Sequence, residues 1–220
     1  MNRSFTKSEF FAKKIHPVLI KFPFYECLLL KRKSYLKSVG WFRSFRTGQS
    51  VDLDGKPIPW FTYGAIELLE ERIPASAIVF EYGCGWGTQW WAEKTEAVDA
   101  VEHDIIWYEE ITAKLPENVR VWYRELGIDY ENAISESGRI YDIIVVDGKN
   151  RTACCEKSLL HLAENGVFIL DDTDRIKQQD AIKLLKEKGF RQLRFRGFSP
   201  IEFMECETSI FYRDGNLLAL

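Results

Sequence analysis

Three stretches of this 220-residue chain carry residue types at spacings that can do chemistry. The first is VFEYGCGWGT, residues 79–88: an apolar β-type run holding Glu81, then Gly83, Gly85 and Gly87 at alternate positions before a helix-like segment. Only glycine takes positive φ or close backbone contact without a Cβ penalty, so three in five residues imply a ligand lying against the main chain. A dinucleotide fingerprint, G-x-G-x-x-G, would need glycine at position 88, where the chain has Thr88. The second stretch is VDAVEHD, whose β-rich run ends in Glu102, 21 residues after Glu81. An acid there can accept hydrogen bonds from both ribose hydroxyls of an adenosine. The third is a pair of acid-tipped runs, YDIIVVDG ending in Asp147 and GVFILDDTDR with Asp171, Asp172 and Asp174. Adjacent carboxylates raise one another's pKa, which suits a general base and equally a divalent cation. Lys149, Arg151 and Arg175 stand beside these acids, either to bind an anionic acceptor or to pair with the acids themselves.

The elements that must position these residues follow from the pattern. From Ala77 onward β-type runs alternate with helix-like segments, as in a parallel sheet covered on both faces. Strands are expected near 77–82, 97–102, 119–123, 141–147 and 166–171, with helices starting near Gly87, Ile105, Asp129, Thr152 and Lys177. After Gly189 the alternation ends, and the runs 190–196 and 208–213 have no helix between them, so they should pair antiparallel. Before the sheet, Phe24 to Lys37 reads as one helix with Phe24, Leu28, Leu29 and Leu36 on one side. Trp60, Phe61 and Tyr63 precede an amphipathic helix that runs up to Pro74.

Composition narrows the class. With 46% hydrophobic and 29% charged residues the chain is that of a globular protein, long enough for one α/β domain. Residues 1–50 hold eleven Lys and Arg against Glu9 and Glu26, net +9, so with an overall charge of −3 the other 170 residues carry −12. Such a head suggests an anionic surface as partner, and a peripheral membrane contact through residues 1–50 is one expectation. The acidic body argues against nucleic acid. Five cysteines, odd in number and without C-x-x-C spacing, point to a reducing compartment and away from zinc. No apolar run reaches the ~18 residues that cross a bilayer, so a cytoplasmic location is expected, with membrane association through the head.

Taken in order, EYGCGWG, VEHD, YDIIVVDG and GVFILDDTDR resemble the motif series of class I S-adenosylmethionine-dependent methyltransferases, over residues 57–213. The resemblance implies an α/β, Rossmann-like, doubly wound seven-stranded sheet, parallel with a final antiparallel strand. It divides the chain into a helical extension or lid, 1–56, and a cofactor-binding domain, 57–220. The implied cofactor is S-adenosylmethionine, with Gly83, Cys84, Gly85, Gly87 and Thr88 beneath it and Glu81 toward its ammonium. Glu102 would hold its ribose and Asp129 its adenine amino group, with Glu125 as competitor. Trp60 and Tyr63 would wall the acceptor, and Lys149, Arg151, Asp174 and Arg175 would bind it. Asp147 and Asp172 would position the acceptor and remove its proton. Catechol-type O-methyltransferases place metal-binding carboxylates at both strand ends, followed by Asn on the second. Here Asp172 takes the acidic place and Thr173 the Asn place, which disfavours a divalent metal.

The wording from IPWFTYGAIE to SIFYRDG is similar to an uncharacterised bacterial group of methyltransferases associated with cell-surface glycan pathways, which implies O-methylation of a sugar or other small hydroxylated acceptor. Two alternatives stand beside this one: an NAD-dependent oxidoreductase, and a non-catalytic adenosyl-cofactor-binding scaffold that docks on membranes.

Overall fold

The computed structural model describes residues 16–220; residues 1–15, part of the basic head, lie outside the described residues. Four short helices come first: α1 (His16–Leu19), α2 (Pro23–Lys33), α3 (Tyr35–Ser38) and α4 (Trp41–Thr47). Then follow α5 (Tyr63–Arg72), β1 (Ile78–Tyr82), α6 (Trp86–Lys94), β2 (Ala97–Glu102), α7 (Ile105–Thr112), β3 (Val119–Tyr123) and α8 (Ile128–Asn132). The chain closes with β4 (Tyr141–Val146), α9 (Arg151–Ser158), β5 (Leu162–Leu170), α10 (Gln179–Glu187), β6 (Arg191–Gly197) and β7 (Cys206–Tyr212).

The strands form one seven-stranded sheet in the order β3-β2-β1-β4-β5-β7-β6. β1 to β5 run parallel. β7 lies antiparallel between β5 and β6, because a connection without a helix can only return its strand antiparallel. Strand residues alternate between the two faces. Val79, Ile143, Val145, Val167, Ile169 and Ile210 pack with Leu69 of α5 and Trp90 and Trp91 of α6. Phe80, Ile144, Val146, Phe168, Leu170 and Phe211 pack with Cys154 and Cys155 of α9 and Leu185 of α10 on the other face. Both faces are covered, so the central strands read as near-continuous apolar runs. β5 begins earlier than expected, at Leu162 rather than Gly166. Leu162 pairs with Tyr141, the register then shifts, and Val167 pairs with Ile143, so Ala163–Gly166 are absorbed as a bulge that apolar patterning does not reveal.

Sheet order reverses between β1 and β4, the switch point at which open α/β sheets leave a crevice beyond the carboxyl ends of their strands. Gly83 follows β1 and Asp147 follows β4, on either side of it.

The head departs from the expected single helix over Phe24–Lys37. Ser34 is extended (φ −99°, ψ 163°) and its hydroxyl caps α3 by accepting from the Lys37 amide, so the helix breaks there. The break resets the helical phase and separates Leu36, on α3, from Phe24, Leu28 and Leu29 on α2. Phe24 is 67% exposed and Leu28 42%, while Tyr25 is the buried aromatic of α2. α4 is tied to the far end of the chain by Trp41, whose Nε1 donates to the Glu202 carbonyl at 2.7 Å. No helix among the described residues is long and apolar enough to cross a membrane.

Candidate functional site

Gly83 has φ +89°, and a Cβ there would meet the Gly148 backbone at 3.1 Å, so the tight turn after β1 demands glycine. Gly85 differs: its φ is 179°, extended backbone open to any residue, and a Cβ would meet nothing closer than the Trp107 ring at 3.8 Å. The fold does not need a glycine there. Gly85 borders a cavity of about 250 Å³ that Gly83, Cys84, Trp86, Gly87, Trp60, Phe61, Trp107, Glu81 and Asp147 also line.

The amides of the turn are already engaged. Gly83 donates to the Val101 carbonyl at 2.9 Å, Cys84 to Glu102 Oε2 at 3.1 Å, and Gly85 to Thr88 Oγ1 at 2.8 Å. Thr88 in turn donates to Glu81 Oε2. The chain therefore offers this cavity carboxylates and aromatic faces, and none of the lining residues is basic. Burial raises the Glu81 carboxyl to about 8, with Asp147 and Glu102 adding to the shift and the Thr88 hydroxyl opposing it. Burial also pushes the Cys84 thiol upward, so it sits protonated as a small filler.

A second cavity, about 260 Å³, adjoins the first and shares Trp60 and Asp147 with it. Its remaining walls are Arg151, Asp171, Asp172, Arg175, Ser199, Glu202 and Cys206. Arg151 Nη2 lies 3.1 Å from Asp147 Oδ1 and 3.0 Å from Asp172 Oδ2. Arg175 reaches Asp172 Oδ1 at 2.7 Å. Asp172 adopts φ +58°, a left-handed conformation that Asp tolerates better than most residues and that sets its carboxylate between the two guanidiniums. Asp171 is buried and accepts from Thr208 Oγ1 at 2.6 Å, and Thr208 Oγ1 accepts from the Thr62 amide at 2.9 Å. Burial holds the Asp171 carboxyl well above the usual range, with Asp147 and Asp172 reinforcing it. Asp147 is raised to about 6, first by burial and then by Asp172, against the lowering pull of Arg151.

No family model matches the chain, and no curated protein does. Solved structures do match. The chain is similar to a TehB-like SAM-dependent methyltransferase from Corynebacterium glutamicum at 16% identity, over 70% of this chain and 89% of that one, with a TM-score of 0.52. It is similar to the N-methyltransferase NodS from Bradyrhizobium japonicum, solved in complex with S-adenosyl-L-homocysteine, at 15% identity over 80% and 99% of the two chains, TM-score 0.50. A precorrin 8w decarboxylase from Methanobacterium thermoautotrophicum matches at 17% identity over 73% and 94%, TM-score 0.54. The fold is a class I methyltransferase fold. At these identities the likeness is one of architecture, and function has to be argued from the site.

On this methyltransferase fold the expected site residues divide into two sets. Glu81, Gly83, Cys84, Gly85, Gly87, Trp60 and Asp147 line the first cavity, and Trp60, Asp147, Arg151, Asp172 and Arg175 line the second. The others stand off both walls. Thr88 is buried behind Glu81 as its hydrogen-bond donor. Glu102 is 4% exposed, and its carboxylate bridges its own loop and the turn after β1, accepting from the amides of His103 and Asp104 in the one and of Cys84 in the other. Tyr63 lines a separate groove with Ile66 and Trp90, and exposed Lys149 lines another with Asn150 and Lys177. Asp129 and Asp174 are exposed and line neither cavity.

Several wall residues escaped the sequence reading. Gly48, Ser50 and Ile201 line the first cavity from outside the sheet, and Trp107 closes it with Nε1 donating to the Cys84 carbonyl at 2.7 Å. Ser50 is 1% exposed and its hydroxyl has no hydrogen-bond partner among the described residues. Ile201 has φ +72°, an outlier for a β-branched residue, and strain of that kind gathers at functional sites. One cue to Trp107 was present: it falls in the first turn of the helix directly after Glu102, capped by Asp104.

Proposed function

We propose that this protein is an S-adenosylmethionine-dependent methyltransferase acting on a small hydroxylated acceptor, a sugar being the favoured class. The observation that carries the proposal is the charge of the first cavity. A pyrophosphate is held by free amides and cations together; the amides of Gly83, Cys84 and Gly85 are engaged, which leaves those at the start of α6, while no described lining residue is basic and Glu81 and Asp147 are acidic. The same surroundings suit a positively charged nucleoside: two carboxylates, with Trp60, Phe61, Trp86 and Trp107 able to face a sulfonium. This argues against the NAD-dependent oxidoreductase.

S-adenosylmethionine, when bound, supplies a methyl group on a sulfonium with a good leaving group. The protein's own part is to align, to exclude water and to take a proton. In this proposal Gly85 leaves room for the nucleoside, Glu81 pairs with its ammonium, and Trp107 and Trp60 cover it. Glu102 grips the ribose only after exchanging at least one of its loop amides, which makes it a positioning residue for the turn before a ligand arrives. Asp147 borders both cavities, so it is the residue placed to accept the acceptor's proton at the point of transfer. Asp172 holds the second cavity's guanidiniums.

Isothermal calorimetry with S-adenosylmethionine and S-adenosylhomocysteine tests the proposal. Binding that is lost in Gly85→Arg supports it, and absence of binding by the unaltered protein overturns it. Mass spectrometry of the purified protein for co-purifying adenosyl ligand, followed by an acceptor screen, addresses the substrate. For the head we propose contact with an anionic lipid surface. Exposed Phe22, Phe24 and Leu28 flank Lys21 and the Lys31–Lys33 run, a pairing of apolar and basic groups that suits an interface. Flotation on phosphatidylserine vesicles should carry the full chain, and a chain starting at Gly55 should stay behind.

A further inference from the structure

At the meeting ends of β4 and β5, Asp147, Asp171 and Asp172 each bring a carboxylate oxygen within 4.8 Å of the others. Converging carboxylates are the donor set of a hard divalent cation. The centre of this set is taken. Arg151, the first residue of α9, folds its guanidinium back over the strand ends and is only 9% exposed. Nη2 donates to Asp147 Oδ1 and Asp172 Oδ2 at 3.1 and 3.0 Å, and to the Asp147 carbonyl at 2.9 Å. Nε donates to the Gly148 carbonyl at 3.0 Å and Nη1 to the Asp171 carbonyl. Two carboxylates and three carbonyls from both strand ends thus grip one planar cation. Thr173, in the position where a metal site would take a neutral oxygen, faces the other way: its hydroxyl bonds Glu207 Oε1 at 2.8 Å and Ser209 Oγ at 2.7 Å on β7.

We infer that Arg151 is a built-in cation standing where a divalent metal would otherwise sit, so the acid cluster binds no metal and Arg151 fixes the geometry of Asp147. A Mg²⁺ ion needs ligand oxygens at about 2.0–2.1 Å in near-octahedral array, whereas oxygens spaced for N–H donors about 3 Å away cannot close on one. Displacing the guanidinium would strand a charge that never deprotonates in a buried place. The part of the inference that concerns Asp147 as a base rests on the proposed function, and there Arg151 is a positioning residue. The part that concerns metal does not depend on it.

The test is Mn²⁺ titration followed by electron paramagnetic resonance, on protein without any adenosyl compound. The unaltered protein should leave the free Mn²⁺ signal unchanged up to about 1 mM, while Arg151→Ala, which empties the centre of the cluster, should bind at least about tenfold tighter. Tight, stoichiometric Mn²⁺ binding by the unaltered protein that disappears in Asp172→Asn would overturn the inference. So would a folded Arg151→Ala protein that binds no Mn²⁺. Should Arg151→Ala not fold, the unaltered protein's titration still decides on metal, and Arg151→Lys takes over as the second arm. In Arg151→Lys the Asp147 carboxyl, followed by ¹³C NMR, should titrate close to its unaltered position, whereas Arg151→Gln should move it upward by about one unit or more. An Asp147 that titrates identically in both variants and the unaltered protein would defeat the positioning role. Failure of adenosylmethionine binding would leave the metal result standing, so the two claims fail separately.

Discussion

The two cavities that meet at Trp60 and Asp147 are built by opposite means. The one beside β1 is made by leaving things out: no side chain on Gly85, the amides of Gly83, Cys84 and Gly85 turned to protein acceptors, and no basic residue among the described wall residues. The one beside β4 and β5 is made by filling in, with Arg151 and Arg175 set among Asp147, Asp171, Asp172 and Glu202 and both guanidiniums paired with these acids. The difference teaches where specificity resides. An open, mildly acidic cavity chooses its ligand by shape and by tolerance of positive charge. A crowded, internally paired one has little free cation to offer, so Arg151 in particular is spent on the protein's own acids and is not available to hold an anionic acceptor.

The sharpest way to break this comparison is at the turn. Gly85→Arg should weaken adenosylmethionine binding by about a hundredfold or more, roughly 3 kcal/mol, and shift the melting temperature little, because the fold does not require glycine there. Gly83→Ala should do the reverse and cost about 1–3 kcal/mol of stability, since φ +89° and the Gly148 backbone at 3.1 Å leave a Cβ no room. Calorimetry and thermal melts on both variants would show the split. If Gly85→Arg unfolds the chain as readily as Gly83→Ala does, the first cavity is ordinary turn space.

Asp147, on the shared wall, is the next point of leverage. Asp147→Asn should lower turnover by about 10²–10⁴-fold, well beyond the loss of adenosylmethionine affinity that removing one of the first cavity's two carboxylates brings. A base must be ionised, so activity of the unaltered enzyme should rise as pH increases through about 6, the raised value of Asp147. Turnover that is flat from pH 5 to 8, or intact in Asp147→Asn, would assign the proton to another group.

How much of this could be read from residue order follows the same division. Strands buried on both faces announce themselves as apolar runs, and Val79–Tyr82, Ile143–Val146 and Val167–Leu170 did so. The glycine turn was equally visible because it is contiguous. The crowded cavity is assembled from distant pieces by backbone conformations that leave little trace in composition: Asn150 at φ 50°, which starts α9 so that Arg151 turns inward, and Asp172 at φ 58°. Lys149 and Arg151 look equivalent in sequence, yet one faces solvent and the other is enclosed, because Lys149 lies in the loop before left-handed Asn150 and Arg151 opens the helix after it. Ser34 hid the break between α2 and α3, since a serine in a polar run carries no sign of whether it will cap or continue a helix. Glu102 was legible as a strand-end acid, but not its commitment to two amides of its own loop and one of the turn after β1.

Glu81 offers a quieter test of the first cavity. Its carboxyl holds a proton up to about pH 8 in the free protein, and a cationic group brought against it favours the ionised form. Binding at pH 7 should therefore release close to one proton, detectable as a dependence of the calorimetric heat on the buffer's ionisation enthalpy, and Glu81→Gln should abolish that dependence. The sign extends to stability. The folded value lies above the ordinary carboxylate value of 4.5, so the folded state binds more protons than the unfolded one, and stability of the free protein should fall as pH rises from about 4.5 through 8. Added adenosylmethionine should flatten that decline. An unchanged decline would mean that Glu81 does not meet the ligand's charge.

The smallest expected effect concerns the wall that the extension lends to the cavity. Ser50 is buried and its hydroxyl lacks a partner among the described residues, although its carbonyl is anchored by the Ile58 amide at 3.0 Å. A buried hydroxyl without a hydrogen bond costs free energy, which a ligand oxygen or nitrogen within reach would recover. Ser50→Ala removes both the cost and the recovery. Stability without ligand should hold or rise slightly, while adenosylmethionine affinity should fall by about three- to tenfold, which corresponds to one neutral hydrogen bond of about 0.6–1.4 kcal/mol. Ser50→Thr keeps the hydroxyl and should retain most of the affinity if the extra methyl is accommodated. Should Ser50→Ala lose stability and affinity together, the hydroxyl serves packing in the extension, and the first cavity would be closed by shape alone.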